Sequence, residues 1–303
     1  MEKKKNDFIA QGSILAIASI LVRVMGMIYR IPMTAIIGDK GNGFYSYAYS
    51  VYTILLLLSS YSLPLAVSKM VSAKAQLGQW RNVKRVFICA IAFAIGIGTT
   101  FGLIVLVGAQ FFTRVFFHSE LAAIALRFMA PTILIMALLG VFRGFFQGLQ
   151  NTLPTAVSQI VEGLINAIMS VVFAYFLFDF GHGMDAAGGT TDLGYAWGAA
   201  GGAIGTGAGA LAGLIFCFIL FVAYRKILAV NISRDKTGTQ QEYGDIFRLM
   251  LSIALPVILS TALYNLIELV DGSLFNNIMA SKGMEDVKDS MWGAYNAKAL
   301  LLV

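Results

Sequence analysis

FIAQGSILAIASILVRVMGMIYRIPMTAII, residues 8 to 37, is an apolar run of 30 residues that contains two permanent cations, Arg23 and Arg30. A hydrocarbon core of ~30 Å takes about 20 helical residues to cross. The run is therefore a transmembrane helix with Arg23 near its midpoint. Arg30 follows seven residues later, ~10 Å further along the axis and nearly two full turns round, so both arginines leave the same face. Gly12, Ala16, Ser19, Gly26 and Thr34 share that face, a small and polar stripe on a helix otherwise made of Ile, Leu, Val and Met. A cation at the bilayer centre costs roughly 2.5 to 3.5 kcal/mol even on the lenient insertion scale. The stripe must line protein or water, and the charges need carboxylates, carbonyls or an anionic ligand. A structural ion pair with a neighbouring helix and an anion-binding cavity both answer that need. The first four apolar runs hold no Asp or Glu, which favours the cavity.

The composition sets the class. Of 303 residues, 58% are hydrophobic and only 13% charged, with mean hydropathy +0.77, far more apolar surface than a water-soluble domain can hide. The chain is an all-α polytopic membrane protein. Its basic start, MEKKKND, precedes an apolar stretch about twice the length of a signal-peptide core and without a cleavage site, so the first span is retained. Cys89 and Cys217 fall inside apolar runs and His118 and His182 lie in separate loops, so no metal site and no cofactor is indicated.

Runs of spanning length occur at 8 to 37, 43 to 68, 86 to 112, 121 to 149, 155 to 180, 195 to 224 and 246 to 279, and another starts at Met291. Turn signals separate them: GDKGNG (38 to 43), QNTLP (150 to 154) and GHGMDAAGGTTDLG (181 to 194). Thirteen Lys and Arg residues lie before the first span, after the second and around the sixth-to-seventh connection, whereas the alternate loops hold four. The positive-inside rule then puts the N-terminus in the cytoplasm of a multi-pass protein of the cell membrane. The net charge of +6 is accounted for by topology rather than by affinity for nucleic acid. Tyr45, Tyr47, Tyr49 and Tyr52 suit an aromatic belt at the outer interface, although helical spacing turns some of them inward. The expected organisation is a six-helix lobe over 1 to 228, a cytoplasmic linker over 229 to 245, and the first helices of a second lobe from 246 to 303. An eighth span of only 13 residues makes the sequence the N-terminal part of a longer protein.

Other intramembrane polar groups extend the pattern. In the seventh span Glu268 and Asp271 stand three apart with Asn265, Thr261, Gly272 and Asn276 on the same side. An offset of 241 residues superimposes Arg30 on Asp271, a weak internal repeat that would set opposite charges across a central cleft. Arg143 and Glu162 lie at equal depth on either side of the Asn151 to Pro154 turn, as a structural bridge or a gate. Arg127 can snorkel to the interface. Pro32, Pro64, Pro131 and Pro256 fall within spans and permit bending. Glycines four apart between Gly198 and Gly213 permit close helix packing.

The paired arginines, YSYAYSVYTILLLLSSYSLPLAVSKMVSAKAQLG (45 to 78) and FRGFFQGLQNTLPTAVSQIVEG (142 to 163) together resemble the multidrug/oligosaccharidyl-lipid/polysaccharide (MOP) exporter superfamily. The likeness is to its stage V sporulation protein B and polysaccharide-biosynthesis branch, close to the lipid II flippases. It implies a MATE-like pair of six-helix lobes about a central cavity, with this chain supplying lobe one and the start of lobe two. It also implies that Arg23 and Arg30 receive a substrate diphosphate. The spacing of seven and the lack of a second-span arginine, with Lys69 the nearest cation there, depart from the flippase pattern.

The expected protein is a transporter and not an enzyme. It would move a polyprenyl-diphosphate-linked saccharide, such as a peptidoglycan or other cell-wall precursor, across the cytoplasmic membrane by alternating access. Arg23, Arg30, Ser19 and Gly26 are the substrate-binding candidates. Glu268, Asp271, Asn265, Arg143 and Glu162 are the coupling or gating candidates, the coupling partner being a proton or a cation. Its partners would be the anionic lipid-linked saccharide and membrane lipids. The alternatives are an ion-coupled multidrug exporter of the same superfamily, a membrane glycan enzyme and a structural protein of the sporulation membrane.

Overall fold

The computed structural model describes residues 2–188 and 192–299, without the side chains of residues 2–11, 187, 188, 262, 264, 265, 268, 298 and 299. Among these described residues eight α-helices follow one another: α1 Glu2–Leu56, α2 Leu63–Gln76, α3 Trp80–Phe117, α4 Ala122–Gly148, α5 Leu153–Gly188, α6 Leu193–Ser233, α7 Tyr243–Ser281 and α8 Glu285–Ala294. Among the described residues there is no strand. Among the described residues six stretches are long and apolar enough to cross a membrane, the first of them the 65-residue unit Gly12–Gln76.

That unit holds the expected first and second spans, but the six-residue turn between them is absent. The chain stays helical across the GDKGNG segment except at Gly38, whose backbone (φ 64, ψ −179) turns α1 into two arms. Only glycine takes that left-handed value without strain. The Asn42 side chain braces the corner by donating to the Gly38 carbonyl and to Thr34 Oγ1, both at 3.0 Å. The bend sits six residues past Pro32, so proline does not make it. Pro64 lies at the first turn of α2, after a π-helical segment at Leu57–Tyr61.

Turn-rich composition also misled elsewhere. Helix α5 continues through 181 to 188, and Asp185 accepts the backbone N–H groups of Leu193 and Gly194 at 2.9 Å each, capping the start of α6. Residues 229–233 and 243–245 are helical, so the non-helical part of the linker is 234–242.

Glycine decides which helices lie closest. A Cβ at Gly201 or Gly205 would overlap the α5 backbone at Ala174 and Ser170, and one at Gly209 would lie 2.6 Å from the Glu162 carbonyl. The Gly198–Gly213 series is thus a packing seam. A second series, Gly140, Gly144 and Gly148 on α4, receives α2: a Cβ at Gly144 would come within 2.6 Å of the Pro64 carbonyl and one at Gly148 within 2.7 Å of Val71.

Two apolar cores result, one at each end of the bundle. Tyr47, Phe117, Leu126, Met129 and Trp292 centre the core at the Gly38 end. Val67, Phe87, Phe145, Cys217 and Met250 centre the other. Three of the four tyrosines expected at an interfacial belt belong inside: Tyr45, Tyr47 and Tyr52 are buried, and only Tyr49 is exposed. Tyr47 stacks on Phe117 with centroids 4.7 Å apart, which places it in the core.

At the opposite end the linker is fastened to the first turns of α3. Asp235 accepts the Arg81 N–H at 2.9 Å and the Thr237 N–H and hydroxyl at 3.0 and 2.6 Å. Asn82 bonds Thr239 O and the Gln241 N–H, and Arg85 donates to Gln241 O at 2.6 Å and Gln240 Oε1 at 2.8 Å. The hydrogen bonds from the Arg81 N–H and from Thr237 hold the Asp235 carboxyl well below its usual 3.8, at about 2. A carboxylate at a helix N-terminus also faces the positive end of the dipole.

Candidate functional site

Helix α1 carries three faces. Ala18, Met33 and Ile37 are buried against the bundle, and Val22 and Met25 pack on Gly163 of α5. Ile17, Ile20, Ile28 and Ile31 are exposed on the far side. By the ~100° rotation per residue of an α-helix, the stripe of Ser19, Arg23, Gly26, Arg30 and Thr34 runs along the flank between them. A flank position lets a guanidinium leave the lipid face while keeping the core free of charge.

The two arginines differ in surroundings. Arg23 and Ser19 are exposed, and the Ser19 hydroxyl donates back to the Leu15 carbonyl at 2.9 Å. Arg30 is half-buried, and its Nη1 donates to the backbone carbonyl of Asn296 just beyond α8, a long contact at 3.5 Å. Among the described residues neither arginine makes an ion pair. Arg30 also walls a cavity of about 490 Å³ with Ile31, Thr34, Ala35, Gly38, Asp39 and Ala297. A second space of about 10 Å³, between Arg30, Asn42, Tyr45 and Asn296, has room for one water.

Asp39, read from sequence as part of a turn, thus joins the cavity wall because Gly38 bends the helix there. No signal other than the first glycine of GDKG, Gly38, could have placed it. Beside it, Lys40 pairs with Asp192 at 2.8 Å and ties the bend to the start of α6.

Arg143, Glu162 and Asp271 are not among the residues that line this cavity. Arg143 Nη2 lies 2.7 Å from Glu162 Oε2, and its Nε donates to Ser158 Oγ at 2.8 Å, so α4 and α5 are bridged away from Arg30. The pair is largely sheltered, with side-chain exposures of 11% and 25%. Asp271 is exposed on α7 and makes no ion pair among the described residues, with Arg30 or otherwise. The side chains of Asn265 and Glu268 lie outside the described ones. Arg127 is exposed on α4.

Comparison with known proteins agrees with this architecture. The profile of the family described as "Polysaccharide biosynthesis protein" matches residues 8–303. Two curated relatives come from Bacillus subtilis (strain 168): the lipid II flippase MurJ, 25% identical over 92% of this chain and 51% of its own length, and stage V sporulation protein B, 26% identical over 86% and 48%. The chain spans about half the length of these relatives. Among solved structures, a MOP superfamily transporter from Pyrococcus furiosus is 16% identical with a TM-score of 0.61, covering 93% of this chain and 61% of that one. A MATE transporter in complex with MaD3S gives the same identity and score over 95% and 60%. The helical bundle therefore has the fold of these MATE and MOP transporters, and the chain belongs to the polysaccharide biosynthesis protein family, with sequence similarity to a lipid II flippase.

Proposed function

We propose that the chain is part of a membrane transporter that moves a polyprenyl-diphosphate-linked saccharide, a cell-wall precursor in class, from the inner to the outer leaflet by alternating access. The observation that carries this reading is the flank of α1, where Arg23 and Arg30 share a small-residue stripe, Arg30 opens on a cavity, and no carboxylate pairs with either among the described residues. A saccharide diphosphate cannot cross hydrocarbon because its hydroxyls and charges would lose their water. Guanidinium forks replace that water with charge-assisted, bidentate bonds. The 3.5 Å contact from Arg30 to a neutral carbonyl is a weak one that a phosphate oxygen displaces. The relative named as a lipid II flippase supports a lipid-linked substrate.

In this reading the N-terminus and the Asp235 end of the bundle face the cytoplasm, on the strength of their Lys and Arg residues. Glu268 or Asp271, with Asn265 beside them, binds the coupling proton or cation. The Arg143–Glu162 bridge opens and closes with transport. The test is flipping of fluorescent polyprenyl-diphosphate saccharide by the reconstituted full-length protein. Arg23→Ala is expected to abolish flipping with membrane insertion intact, and Arg23→Lys to retain part of it. Wild-type flipping by Arg23→Ala would remove the proposal.

A further inference from the structure

The Gly38 end of the bundle is closed by contacts that no sequence motif announces. Helix α8 crosses the second arm of α1 glycine to glycine. A Cβ at Gly293 would overlap the Asp39 carbonyl and lie 2.6 Å from the Gly43 nitrogen, and a Cβ at Gly43 would overlap the Asp289 carbonyl. Beside this crossing sits a lysine that is only 4% exposed, Lys288.

Its surroundings are built to hold an ammonium. Helix α3 ends with His118 in the left-handed conformation (φ 50), where the His118 and Ser119 N–H groups bond back to Arg114 and Thr113. The last carbonyls of the helix, at Phe117 and His118, then point outward at the negative end of its dipole. Lys288 Nζ donates to both at 2.9 Å and directs its third proton toward Asn276 Oδ1 of α7 at 3.4 Å. Asn276 Oδ1 also accepts the Tyr47 hydroxyl of α1 at 3.0 Å. Asp289 Oδ1, at 3.8 Å, supplies the counter-charge. One buried ammonium thereby joins α1, α3, α7 and α8. Along α8 from it, Trp292 stacks between Tyr47 and Phe275, and the Asn296 carbonyl receives Arg30.

We propose that Lys288 is the latch that keeps this end shut and, through α8, a positioning residue for Arg30. While the ammonium is seated on the α3 carbonyls, α8 stays against α1 and its Asn296 carbonyl engages the Arg30 guanidinium. When α8 swings out, the three acceptors and that carbonyl are lost together, and Arg30 is released to an anion. The inference rests on the alternating-access reading, in which this end is the outer one.

The test uses the full-length protein with every native cysteine replaced by alanine. Spin labels at Glu120→Cys and Glu285→Cys, both exposed positions, report the separation of the α3–α4 connection from α8. A cysteine at Thr34, in the Arg30 cavity, reports its access to a membrane-impermeant thiol reagent. Lys288→Met is expected to lengthen the label separation and to raise the Thr34 thiol rate by roughly tenfold, whereas Lys288→Arg, which keeps charge and donors, stays near wild type. Asn276→Leu, which removes one acceptor and the Tyr47 link, is expected to move both readouts the same way by less, and it carries the test if Lys288→Met does not fold. Folded variants with wild-type distances and thiol rates would overturn the latch, whatever Arg23→Ala does to flipping. An opened end in a protein that flips no polyprenyl-diphosphate saccharide would uphold the latch and remove the substrate reading instead.

Discussion

Arg143 and Glu162 are the residue pair whose register a short turn sets in advance. With α4 and α5 reversing at Asn151 to Pro154, equal counts on either side bring the two side chains to one depth, and the structure joins them at 2.7 Å. Removing one member leaves a sheltered charge without its counterpart, at a cost on the order of 3 kcal/mol. Arg143→Leu and Glu162→Gln are each expected to lower the thermal midpoint in detergent, and the double variant to lose less than the two losses added, as a double-mutant cycle would show. Partners far apart in sequence had no such register. Asn296, 266 positions from Arg30, is an ordinary polar residue by type, and it meets the guanidinium through its backbone. Lys288 equally looks like a surface lysine, because composition carries no sign of the carbonyls that surround it.

At the level of elements, apolar periodicity gave the spans, but helix ends went beyond it wherever glycine and polar residues were helical in fact. GDKGNG and GHGMDAAG are turn-like by composition, yet only Gly38 leaves the helix in the first and none of 181 to 188 leaves it in the second. Packing overrides propensity there. The same distinction sorts the glycines into two experiments. Gly205→Ala would push a methyl into the Ser170 backbone, and is expected to destabilise by about 1 to 3 kcal/mol. Gly96→Ala meets nothing within 4 Å and is expected to be neutral or to stabilise by about 0.5 to 1 kcal/mol; unfolding midpoints of the two variants decide. The linker gives a pH prediction. The folded Asp235 carboxyl titrates at about 2 against a usual 3.8. Its contribution is thus complete at neutral pH and is lost as pH falls from about 4 toward 2. Asp235→Asn should loosen the strap at neutral pH, read as faster tryptic cleavage at Arg234 and Lys236 than in the wild type.

On the scale of the whole molecule, hydropathy alone announced a helical membrane bundle, and the quoted motifs announced its polysaccharide-biosynthesis family. The packing of α8 against α1 was illegible, since it joins residues some 250 positions apart in sequence. Gly293→Leu, which wedges a side chain into that crossing, is expected to prise the end apart and lengthen the distance between labels at residues 120 and 285. The nine-residue strap at 234–242 has a mechanical corollary. Five hydrogen bonds secure it to the head of α3, so a tilt of α7 would haul on α3 as on a tie rod, and the other tip of α3 carries the carbonyls that grasp Lys288. A tug at one rim of the barrel is thereby delivered to the opposite rim along a single rigid shaft.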